Sequence, residues 1–153
     1  WRADGCERPE LPAAWREEGF QATYGAVLEA YGNDSDFALL RLTTRPPRSY
    51  RPFLNGWSAT GVTPSATVTI QHPQGDLMKI AADADPPIQS PFCSTCCRLG
   101  SGPCWRHTDW RIVQYDVGSS SFGSSGAPLF DMSGRIIGQL HGGYADCVHR
   151  KDE

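Results

Sequence analysis

The residues best suited to chemistry stand together in Gly123-Ser124-Ser125-Gly126-Ala127-Pro128. A serine between small residues, just before a strand, sits on a tight turn that exposes its hydroxyl. Nearby backbone N–H groups converge there, and glycine at 123 lets its N–H face a ligand with no side chain intervening. That combination suits attack on a carbonyl, because the N–H groups stabilise the charge that develops on its oxygen. Ser/Gly stretches are also common in linkers. Context separates the two readings: a hairpin pattern follows directly, and then Gln139-Leu140-His141-Gly142-Gly143.

The elements that position this stretch are short strands. Ala127–Phe130 reads as a strand, Asp131-Met132-Ser133-Gly134 as a tight turn and Arg135–Leu140 as the returning strand. Ala66–Gln71 is a strand by β-branching and alternation, and His72–Asp76 ends it in a turn. Leu77–Ala81 and Arg111–Tyr115 are expected to be strands, and 83–109 reads as loop. Phe37–Leu42 reads as a short buried strand. Residues 20–32 suit either a short helix at Ala26–Tyr31 or a strand. The proline-rich stretch 43–56 marks the best candidate boundary between two packing units. Short strands at close spacing predict an all-β barrel or sandwich.

The 153 residues have a globular composition, with 39% hydrophobic and 20% charged residues. A net charge of −3 gives no basic patch, so nucleic acid is not an expected partner. No apolar run reaches the roughly 18 residues of a membrane helix, so no membrane association is expected. The six cysteines, at 6, 93, 96, 97, 104 and 147, favour an oxidising compartment and hence secretion. Cys93, Cys96, Cys97 and Cys104 fit either two local disulfides stapling a loop or a structural zinc site. Adjacent Cys96 and Cys97 suit zinc awkwardly, which favours disulfides and no metal.

With these residues in view, the chain resembles the chymotrypsin-like serine peptidases, and within them the bacterial lysyl endopeptidases. That branch carries Gly-Ser-Ser-Gly-Ser-Pro, a hairpin, then Gly-Gln-Leu-His-Gly-Gly and a cysteine. This chain reads Gly123–Pro128, then Gly138-Gln139-Leu140-His141-Gly142-Gly143 and Cys147. Asp36–Leu42 resembles the segment that opens with the triad aspartate. Gly56-Trp57-Ser58 resembles the Gly-Trp-Asp after the interdomain linker. Ile70-Gln71-His72-Pro73-Gln74-Gly75-Asp76, with Lys79-Ile80, resembles the branch's His-His-Pro and Lys-Ile strand pair, which implies a structural strand position for His72.

The resemblance implies a double β-barrel: a remnant of the first barrel in 1–45, a linker in 46–56, and most of the second barrel in 57–153. It implies Ser125 as nucleophile, Asp36 as triad aspartate, and the N–H groups of Gly123 and Ser125 as the oxyanion hole. In such a triad a buried carboxylate orients the imidazole that takes the serine's proton. The family order is His, Asp, Ser, yet His72, His107, His141 and His149 all follow Asp36. The general base is therefore expected in a segment outside this sequence, and the 153-residue chain alone is expected to be inactive. Cys6 and Cys147 resemble cysteines whose partners lie elsewhere in the family.

Ser119, His141 and Gly142 would line the primary pocket by family position, with Trp105 or Trp110 as a wall. Asp152 is the candidate for pairing a substrate lysine. The expected activity is serine endopeptidase action on a polypeptide substrate, by a monomer, with no cofactor. A non-catalytic homologue acting as a protein-binding module is the alternative, and a metal-stabilised structural domain is a weaker third.

Overall fold

A computed structural model gives the conformation of residues 21–32, 37–90 and 109–146. The fold is all-β, as expected, with strands β1 (Ala26–Gly32), β2 (Phe37–Leu42), β3 (Thr67–Gln71), β4 (Lys79–Asp83), β5 (Ile88–Ser90), β6 (Asp109–Arg111), β7 (Pro128–Phe130) and β8 (Ile136–Gln139). Every strand pair is antiparallel. The central sheet has the order β4-β3-β7-β8; β1-β2 and β5-β6 are separate pairs. Backbone bridges widen the central sheet at both edges. Val117 exchanges two hydrogen bonds with Ala82 on β4, and Trp57 runs parallel to Ile136 on β8. Trp110 Cδ1 lies 3.7 Å from where a Cβ on Gly138 would stand, which brings β6 toward β8. No sheet closes on itself among the described residues.

Several boundaries differ from the sequence reading. Ala26–Gly32, which by sequence suits either a helix or a strand, is a strand that pairs with β2 from end to end apart from a register shift between Leu28 and Ala30. The strand expected at Leu77–Ala81 runs instead over Lys79–Asp83, in register with β3. The strand expected at Arg111–Tyr115 ends at Arg111, and β5 forms inside the stretch read as loop. Phe37–Leu42 is a strand but not a buried one: every residue of it is exposed, including Leu39 and Leu40.

The core of the central sheet is polar. Thr67, Thr69 and Gln71 on β3 are buried, opposite Asp83, Ala81 and Lys79 on β4. At Gln71 the reason is what covers this face. Residues 117–120 cross it as irregular backbone, and irregular backbone needs side-chain partners that an apolar face lacks. Gly118 permits the approach: it has φ +72°, and a Cβ there would stand 2.6 Å from the Ile80 carbonyl oxygen. Gln71 Nε2 donates to the Ser119 carbonyl at 2.7 Å.

Candidate functional site

The β7–β8 hairpin builds the site from below. Asp131 fixes its turn: Oδ1 accepts from Ser133 N and Arg135 N, and Oδ2 from Arg135 Nε. The Arg135 backbone bond, with these other donors, holds the Asp131 carboxyl below its ordinary pKa. At the other end of the hairpin the ladder continues past the strands, with Leu140 N donating to Ala127 O and Gly126 N to Leu140 O. Ser125 and the His141-Gly142 segment therefore leave the hairpin from the same end.

Around Ser125 the backbone donors alternate in use. Ser124 N donates to Ser121 O and Gly126 N to Leu140 O. The N–H groups of Gly123 and Ser125, between and beside them, have no backbone acceptor among the described residues. Ser125 itself is exposed, whereas Ser124 is 1% exposed and its hydroxyl has no partner among the described residues. The turn thus points one serine inward and presents the other to solvent beside two unengaged donors. An anionic oxygen is the group such donors accommodate.

Gly123 is held against the 72–75 turn. Its φ is +89°, and a Cβ there would stand 3.1 Å from Gly75 N and 3.2 Å from Gln74 N. Gln74 N donates to Phe122 O, tying the two turns together. His72 serves this turn: its Nδ1 lies 2.9 Å from the Asp76 carbonyl oxygen, which can only accept, so Nδ1 carries the proton. The resemblance implies a strand position for His72, but β3 ends at Gln71 and His72 opens the turn beyond it.

The remaining expected positions divide in two. Ser119 Oγ donates to the Asp146 carbonyl at 2.7 Å, so its hydroxyl is spent on the backbone. His141 is part-buried, with Nδ1 4.0 Å from Asp109 Oδ1. The Asp109 contact was not legible in the sequence, where 109 closes a long loop. Asp36, Asp152, Trp105, His107, His149 and the six cysteines lie outside the described residues.

The family model for the lysyl endopeptidase C-terminal domain matches residues 3–153, almost the whole chain. The hairpin, the exposed serine turn and the His141-Gly142-Gly143 exit all fall within that match, and the chain belongs to the lysyl endopeptidase C-terminal domain family, a family of peptidases.

Proposed function

We propose that this chain carries the nucleophile and oxyanion hole of a secreted serine endopeptidase. The observation that carries the reading is the alternation at 123–126: an exposed Ser125 beside two N–H groups with no backbone acceptor among the described residues. In this reading Ser125 Oγ attacks the scissile carbonyl as its proton passes to an imidazole. The C–Oγ bond forms, and the carbonyl electron pair moves onto the oxygen held by Gly123 N–H and Ser125 N–H. Collapse expels the amine, which takes the proton from the imidazolium, and water then hydrolyses the acyl-enzyme. Asp36 orients the imidazole.

In this reading the imidazole belongs to a histidine that precedes Asp36 in the family order, and all four histidines of this sequence follow Asp36. Ser119, His141 and Gly142 border the primary pocket, and Asp152 pairs a substrate lysine, in keeping with the family's name. The test is hydrolysis of a fluorogenic lysyl peptide by the chain, alone and joined to a family segment bearing the histidine. Activity only in the joined form supports the reading. Robust cleavage by the 153-residue chain alone contradicts the assignment of the base. Peptide binding without cleavage in the joined form favours the binding-module alternative.

A further inference from the structure

Gln71 closes β3 and is 2% exposed. A buried primary amide costs free energy unless both of its ends are bonded. Nε2 is bonded, at 2.7 Å, to the Ser119 carbonyl. That bond turns Oε1 the other way, where it is buried and accepts nothing among the described residues. A leucine or methionine would fill much the same volume without this penalty. What the amide contributes is a fixed Ser119 carbonyl.

Ser119 passes the constraint on. Its hydroxyl reaches the Asp146 carbonyl at 2.7 Å, in the stretch that follows His141-Gly142-Gly143. The two bonds tie the chain before Ser125 to the chain after His141, and anchor both to β3. Neighbouring Val117 is held independently by its two backbone bonds to Ala82. Loss of the amide therefore leaves the 117–82 bridge in place and frees the stretch beyond it.

We propose that Gln71 is a positioning residue for the primary substrate pocket. Acting through Ser119, it clasps the two segments that wall the pocket and sets the space open to the substrate side chain. This rests on the reading of Ser125 as nucleophile and of Ser119, His141 and Gly142 as pocket residues.

Two variants test the clasp. Q71L removes the donor; Q71E keeps the shape but offers Ser119 O an acceptor where it needs a donor. In the 153-residue chain, hydrogen exchange is expected to quicken about tenfold at 119–122 and 143–146 in both variants, with the β3–β4 ladder unchanged. In the joined, cleaving form, KM for a lysyl peptide is expected to rise about tenfold while kcat changes less than about threefold, the pattern of lost side-chain binding. Unchanged exchange in both variants overturns the clasp. Faster exchange with unchanged KM also overturns it, leaving Gln71 a purely structural residue and the Ser125 reading intact. If the joined wild type fails to cleave, the Ser125 reading falls and takes the pocket assignment with it.

Discussion

Ser124 and Ser125 have the same side chain and opposite fates, and the turn decides which is which. Ser125 is the exposed one, so S125A is expected to lower kcat of the joined form by at least about 10⁴-fold with an unchanged melting temperature. Retained activity in S125A would falsify its role. Ser124 Oγ is buried without a partner among the described residues, so S124A removes a desolvated hydroxyl and is expected to leave stability unchanged or raise it by up to about 1 kcal/mol. A thermal melt checks this; clear destabilisation would mean that the hydroxyl has a partner. Gly123 is the stricter position, because φ +89° and the nearby Gly75 and Gln74 N–H groups both oppose a Cβ. G123A is expected to cost about 10²–10³-fold in kcat through a displaced oxyanion donor. At this scale the sequence was informative about which serine and which glycine, because small residues flanking a nucleophile leave few alternatives. It could not show that the Ser119 hydroxyl is committed to Asp146, a contact between residues far apart in the chain.

Among the elements, two carboxylates titrate with opposite sign. Asp131 is held below its ordinary pKa by the turn donors it accepts from, the Arg135 backbone first. It stabilises the hairpin above the unfolded value of 3.8, and that contribution fades as pH falls through the lower folded value. Melts of D131A against wild type should show a gap near neutrality that closes in acid; a gap independent of pH would contradict it. Asp83 is raised, chiefly by burial, with Asp116 and Asp85 adding to the effect against the Asp85 N–H bond. Its ionised form burdens the native state as pH rises from 3.8 through the raised folded value. D83N, which keeps an acceptor for Asp85 N and brings a donor toward its β3 partner Thr67, is therefore expected to melt higher at pH 7. That advantage should vanish in acid.

Element reading from the sequence succeeded where the local residue pattern is strong over a short span. The β-branched run of β3 and the Asp131–Gly134 turn are examples. It failed at Lys79–Asp83 and Arg111–Tyr115, where pairing with a remote partner sets the strand's limits. Ala82 continues β4 because Val117 and β3 flank it on either side, and no local propensity encodes that.

For the whole molecule, the central sheet is a platform whose polar inner face supports, at Gln71, the backbone that crosses it. Gln71, Ser119 and the 117–120 crossing form one construction, and the turn bearing Ser125 continues from it. The sequence disclosed the all-β class and the order of the motifs. It did not disclose the polar core, since alternating Thr-Val-Thr-Ile reads as a strand whichever face is buried. The exposed leucines lie on β1 and β2, strands that pair only with each other among the described strands.

The central claim is that Ser125 is the attacking residue, and covalent trapping tests it most directly. The joined form, treated with an alkyl fluorophosphonate and mapped by mass spectrometry, is expected to carry one adduct, on Ser125. The S125A variant and the 153-residue chain alone are expected to carry none. An adduct on another serine, or equal labelling of S125A, would contradict the account.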